Sequence, residues 1–547
     1  MPGHAHQHLL EIQRGTLRGL KREIRRHLGH LPAPLRHYYN EYKSEFRHFR
    51  RLATKVELIE AVKETDIVFV GDYHTLKQAQ KTNIKLLRDI VPERPNVVLG
   101  IEMVLASQQA KLDAYMRGEA DDAEFLREID WAGTWGFPWE PYRALLAFAR
   151  LHGLRVVALN SGAYDDLHRL GARDRFAARR IADAALANPG ALIFVVFGDL
   201  HVARRHLPQL VDEELERRGR TVRRIIVYQN SETLYWRLAE SGREHDADVL
   251  EMGDGVYCVM NTPPWIKLQS YLSWFERAGG SNGFHAEDED SAEEAEVDTY
   301  NDEVYACIDQ VAGFLDLARD GLHDVSVSTL DDLEFLRRLK GERSVAVLEN
   351  LIVEGQSFFV GKLGLIYLPA HDLGRAAEEA AAFLAARGGL AFPFDQGFRS
   401  FLGRVVFRAL GFFASRVVNH KRKCAQLTDL KAMAEGTARG TRRERAIARA
   451  VLDALPAVRR GETESEKEAR AIRRDTRLAL GVSRAIGLVL GDALFRLVID
   501  GEVSRTAVRE LFTTPARRRA GFRERALELW RLVRAAVAGA ESKDDVF

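Results

Sequence analysis

Two tetrads, Gly71-Asp72-Tyr73-His74 and Gly198-Asp199-Leu200-His201, carry a carboxylate and an imidazole at the same spacing, and each closes an apolar run, DIVFV and ALIFVVF. A third run between them, VVLGI, ends on Glu102. Imidazole and carboxylate together make a metal-ligand set or an acid–base pair. Two neutral histidines, His74 and His201, with Glu102 would supply three ligands and leave an open position for water or substrate, as at catalytic zinc or a facial iron site. Asp72 and Asp199 would orient the imidazoles or cap the helices that follow. Gly71 and Gly198 allow a tight turn or a close ligand approach, and the positive end of a following helix disfavours imidazolium. Taken singly, either tetrad reads more readily as an ordinary turn or packing feature. Its repetition at two strand ends, with a carboxylate at a third, favours a site.

Such convergence requires strands that lie side by side and run the same way. The apolar runs near residues 67, 97, 154, 191 and 223, with a sixth near 256, alternate with helical stretches. This predicts an α/β fold with a mostly parallel sheet covered by helices, whose ligand crevice lies beyond the carboxyl ends of the strands. Asn160 ends the run LRVVALN on the same rim, as a ligand contact or a turn former, and Tyr73 lies inside the first tetrad. The stretch WAGTWGFPWEPY gathers Trp131, Trp135, Phe137, Trp139 and Tyr142. These rings either wall a pocket for a flat ligand, with Trp135, Trp139 and Tyr142 as contacts, or fill the core.

The chain of 547 residues exceeds one hydrophobic core, and its formal net charge of +1 argues against a globally electrostatic nucleic-acid binder. A basic helical segment is expected over 1–60, the α/β domain over 61–280, an acidic linker over 281–302 and a mainly helical region over 303–547, with a hairpin at 357–369. His4, His6 and His8 alternate on an expected mobile terminus. Arg404, Arg408 and Arg416 stripe one helix face, read as solvated or as peripheral membrane contact. Charges interrupt the apolar stretches 401–418 and 476–499, so no membrane span is expected. Three scattered cysteines and no export signal or lipobox predict a cytoplasmic location.

The order GDYH, GIEM followed by SQQAKLDAYMRGE, the aromatic stretch, ALN and GDLH resembles the ChaN-like haem-uptake branch of the Tiki and erythromycin-esterase superfamily over residues 60–275. The resemblance implies a ligand site on His74, Glu102 and His201 and a function in binding haem or a divalent metal ion such as zinc, iron or manganese. It equally implies, as the alternative, a metal-dependent hydrolase, a peptidase or esterase that uses the same residues. Whether the chain is an enzyme stays open at this point. A third reading makes the α/β domain a non-catalytic scaffold and assigns the work to partner binding by the helical half.

Overall fold

The strands are β1 (Arg51–Ala53), β2 (Ile67–Asp72), β3 (Val97–Leu105), β4 (Arg155–Asn160), β5 (Leu192–Gly198), β6 (Arg224–Gln229), β7 (Val249–Gly253) and β8 (Val256–Val259), most of them short runs rich in β-branched residues. The computed structural model describes residues 3–28, 33–162, 170–277, 289–329, 345–370, 372–390, 401–460, 476–515 and 519–537. It divides into two units, one essentially Thr16–Glu289 and the other Met1–Gly15 with Asp290–Asp545.

In the first unit the eight strands form one sheet in the order β1-β7-β8-β6-β2-β5-β3-β4. Neighbours from β8 to β4 pair in parallel, whereas β7 is antiparallel to both β8 and β1. The sheet is therefore mixed, where a mostly parallel one was expected. The cause is local: Asp254 (φ 49°) and Gly255 (φ 73°) both take left-handed backbone and close a two-residue hairpin between β7 and β8.

Strands β2 and β5 are buried along their whole length, which is why they read as unbroken apolar runs rather than alternating ones. Val68 and Val70 of β2, Leu99 and Ile101 of β3, and Phe194 and Val196 of β5 share a core with Leu86 and Leu145. Helices Lys77–Ile90 and Trp139–Leu151 pack together, as do Leu170–Ala187 and Leu207–Arg217. The register sets Asp72 of β2 beside Gly198 of β5, and β3 lies on the other side of β5. Glu102 and the two tetrads thus emerge at one end of three adjacent strands.

The second unit is mainly helical, with a small sheet in which β10 (Phe358–Val360) and β11 (Leu365–Tyr367) form the expected hairpin and β9 (Ser326–Ser328) runs parallel to β11. Residues 281–288 of the acidic stretch lie outside the described residues. Its remainder enters the helix Glu289–Leu315 instead of staying irregular, because Glu and Ala are good helix formers. Likewise His4, His6 and His8 belong to the helix His4–Leu28, with His8 Nε2 3.2 Å from the Gly313 carbonyl.

The arginine stripe corrects a reading of surface charge. Arg404 and Arg416 are buried; Arg416 donates to Asp492 at 2.7 Å and Arg408 to Glu379 at 3.2 Å. Partners supplied by distant helices turn the stripe inward, so this face is neither solvated nor offered to a membrane. Arg477–Ile499 is long and apolar enough to cross a membrane by length and composition, with 67% of its most apolar window buried. Its glycines explain that burial, since a Cβ at Gly491 would strike the Ala409 carbonyl of helix Phe401–Val418. The two backbones approach where no side chain intervenes, as core helices do.

Candidate functional site

Asp72, the last residue of β2, is the anchor of the rim. Its Oδ1 accepts from Gln80 Nε2 at 2.9 Å, and its Oδ2 accepts from the Tyr142 hydroxyl at 2.9 Å and from His74 Nδ1 at 2.9 Å. The carboxylate is 2% exposed, so these contacts are what makes its burial tolerable. They also fix the plane of the His74 ring, which packs against Trp135 and Phe137 at centroid distances of 4.5 and 4.9 Å.

His74 Nε2 lies 3.9 Å from Glu102 Oε2. Burial by itself would lower the pKa of this imidazole, but the Asp72 hydrogen bond and the charges of Glu102 and Asp72 outweigh it, and the net shift is upward. A neutral ring was expected from the following helix; two carboxylates at contact range override that dipole. The raised pKa adds stability that is fully present below the ordinary value of 6.5 and lost as pH rises through the higher folded value. His74→Gln should therefore cost more stability at pH 6 than at pH 9, measured by chemical denaturation at the two pH values.

Glu102 is 3% exposed and both of its oxygens are engaged. Arg173 Nη2 donates to Oε1 at 2.7 Å, and the Gly198 N–H donates to Oε2 at 2.6 Å. Arg173 Nε in turn reaches Asn160 Oδ1 at 3.2 Å, while Asn160 also accepts from the Ser161 N–H at 2.9 Å. Asn160 is thus both the turn former and the rim contact that its position suggested. Among the described residues, His74, Glu102 and His201 do not each bring a ligand atom within 4.8 Å of the other two. A guanidinium and a backbone N–H hold the carboxylate of the expected three-ligand set.

His201 is held separately. Its Nδ1 lies 2.5 Å from Asp174 Oδ1, and Asp174 Oδ2 accepts from the Tyr38 hydroxyl at 3.1 Å. Burial and Asp174 together push the Tyr38 phenol well up, so it stays a donor. Asp174 is completely buried. Its helix neighbour Arg173 serves Glu102, so two adjacent residues of helix Leu170–Ala187 tie the two imidazole clusters into one rim.

The second aspartate differs from the first. Asp199 does not contact its own tetrad histidine; its Oδ2 accepts from Lys267 Nζ at 2.6 Å, and that ammonium stands 4.5 Å from the Tyr73 ring centre. Asp199 Oδ1 lies directly over Gly71, where a Cβ would collide with it. Gly71→Ala should push this carboxylate aside and destabilise the unit by about 1–3 kcal/mol, read from the shift of its denaturation midpoint. Gly198 is less crowded, a Cβ there lying 3.3 Å from both Glu102 Oε2 and His74 Nε2.

Of the aromatic stretch, Trp135 and Tyr142 are fully buried and Trp139 packs against Trp131 with ring centres 5.0 Å apart. Trp139 packs in the core and Tyr142 anchors Asp72, while Trp135 packs on the His74 imidazole.

Residues 58–163 match the family described as haem-binding uptake, Tiki superfamily, ChaN. This segment resembles that family. It carries His74, Glu102 and Asn160, and ends before helix Leu170–Ala187 and the second tetrad. Among solved structures, ChaN of Campylobacter jejuni, described as binding haem cofacially, aligns with 38% of this chain and 92% of its own at 11% identity and a TM-score of 0.29. No curated protein matches the chain.

The unit that contains this segment also uses residues that sequence reasoning passed over: Arg173, Asp174, Tyr38 and Lys267. Arg173 and Asp174 sit in GARDRFAARR, whose charges read as a solvated helix face. Only their low exposure, 4% for Arg173 and 0% for Asp174, separates them from that background.

Proposed function

We propose that the rim of the ChaN-like unit binds haem, with His201 supplying the iron ligand. The observation that carries this reading is the hydrogen bond from His201 Nδ1 to buried Asp174, which fixes the ring and leaves Nε2 without a hydrogen-bond partner among the described residues. A histidine whose other nitrogen is tied to a carboxylate is oriented and made more basic for a metal. Haem needs one or two protein ligands rather than three, so the donor set fits haem where it does not fit a tridentate ion. When bound, the haem iron supplies the electron-transfer or oxygen chemistry. The chain's own residues do the holding: Asp174 orients His201, Tyr38 keeps Asp174 in place, and His74 with Arg173 and Glu102 forms a charged wall beside it. Three buried free cysteines accord with a reducing cytoplasmic location, which is part of the proposal.

Titration of the intact chain with haem should give a Soret band saturating at a fixed stoichiometry. Asp174→Asn should weaken binding roughly 10- to 100-fold, the usual effect of removing a partner behind a metal ligand. Identical titration curves for the two proteins would refute the assignment of His201.

A second reading rests on a different contact. The 3.9 Å approach of His74 to Glu102, beside the Gly198 N–H, is a carboxylate–imidazole pair able to activate water for ester or peptide hydrolysis. Its test is a screen of esters and peptides in which any turnover must be lost in Glu102→Gln; turnover that survives the substitution removes this reading.

A further inference from the structure

Residues 16–51 of the α/β unit hold ten basic residues against three acidic ones, in a chain whose formal net charge is only +1. The excess is concentrated on one helix face. Arg18, Arg22, Arg25 and Arg26 stand at i, i+4, i+7 and i+8 along helix His4–Leu28, so they share a stripe about 12 Å long. All four are exposed, and among the described residues none of them pairs with a carboxylate, their neighbour Glu23 included. Arg217 and Arg218 show the opposite habit, sharing Glu214. Like charges one turn apart repel, so the stripe weakens its own helix unless an anion lies across it.

On the opposite side of the same helix Leu17 and Leu20 are buried, which commits its apolar face to the unit rather than to a bilayer. Beside the stripe Tyr39 is 40% exposed, with Arg25 in electrostatic reach of its hydroxyl and Lys43 Nζ 5.3 Å from its ring centre. Guanidiniums fork phosphate oxygens, and an open tyrosine ring stacks on a base. A fixed line of cations with an aromatic at its side therefore fits a linear polyanion that carries flat rings.

We propose that this stripe binds single-stranded nucleic acid, with phosphates met by Arg18, Arg22, Arg25 and Arg26 and a base stacked on Tyr39. Neither the haem reading nor the hydrolase reading uses these residues. RNA and DNA share the recognition, since both present phosphates and bases.

Fluorescence anisotropy of the full chain with labelled oligouridylate and oligothymidylate, each of about 15 nucleotides, tests the proposal. Log affinity should fall against log salt with a slope of about −3, the value for four phosphates of a single strand. The tighter of the two oligonucleotides tells RNA from DNA. Arg22→Gln combined with Arg25→Gln keeps good helix formers at both positions and should roughly halve the slope. Arg127→Gln, which removes an exposed guanidinium elsewhere on the unit, should leave it unchanged. Tyr39→Ala should lower affinity roughly tenfold with the slope intact. The proposal is overturned by no binding of either oligonucleotide at about 50 mM salt, whether or not phosphatidylserine vesicles capture the chain. It is equally overturned by an unaltered slope in the double variant, an equal loss in Arg127→Gln, or unaltered affinity in Tyr39→Ala.

Discussion

His201→Ala is expected to lower haem affinity by roughly 100-fold or more, beyond the loss for an outer partner, because it removes the donor atom itself. His74→Ala should cost far less. The two histidines occupy equivalent places in sequence but not in chemistry: His74 is biased toward imidazolium by Asp72 and Glu102, and a protonated nitrogen has no lone pair for iron. His201 has one carboxylate partner, at Nδ1, which favours the tautomer that leaves Nε2 a donor to metal. Soret titration of the three proteins measures the difference. Free imidazole should restore the spectrum of His201→Ala by entering the vacated space. Loss on His74→Ala with retention on His201→Ala would reverse the assignment.

Glu378→Gln should destabilise the helical unit by about 3–5 kcal/mol, the penalty of leaving buried charges without their counter-ion. Three arginines contact this one carboxylate, with Arg408 also reaching Glu379, so the substitution leaves the guanidiniums short of a counter-ion. Burial alone would raise its pKa, but Arg484, Arg422 and Arg408 together hold the carboxyl well below the usual range. A depressed folded pKa means the contribution is present above the ordinary value of 4.5 and is lost as pH falls toward the folded one. Wild type and variant should therefore converge in stability on acidification. Because the chain has two units, one global transition does not isolate this effect, and hydrogen exchange across helix Leu373–Arg387 is the appropriate measurement. Unchanged protection there in Glu378→Gln would disprove the dependence.

Much of the α/β unit was legible because its strands are buried on both sides. A strand with no solvent face is apolar over most of its length, and Asp72, Asn160 and Gly198 end three of these. That is why β2, β3, β4, β5, β6 and β8 stand out, and why both tetrads could be placed on strand ends. The strands β1 and β7 escaped notice. Arg51–Ala53 is only three residues long and half exposed, and VLEMG needs the Asp254–Gly255 turn to become half of a hairpin.

The site was legible only in its residue types. Nothing near His201 in sequence announces Asp174, which precedes it by 27 positions, and nothing near Glu102 announces Arg173, 71 positions away. Both look like surface charges of a basic helix. The arginine stripe at 404, 408 and 416 misleads for the same reason, since charge on a helix face reads as solvent exposure until partners on other helices are known. The equivalence of the tetrads was misleading too: Asp72 binds its own histidine, whereas Asp199 binds Lys267.

From its amino acids alone the chain determined a buried strand system with imidazoles and a glutamate at neighbouring ends, since apolar patterning and turn chemistry are local properties. Only the tertiary structure decided which carboxylate pairs with which base. That choice depends on distances between residues far apart in the chain, and here it committed Glu102 to an arginine and His201 to an aspartate.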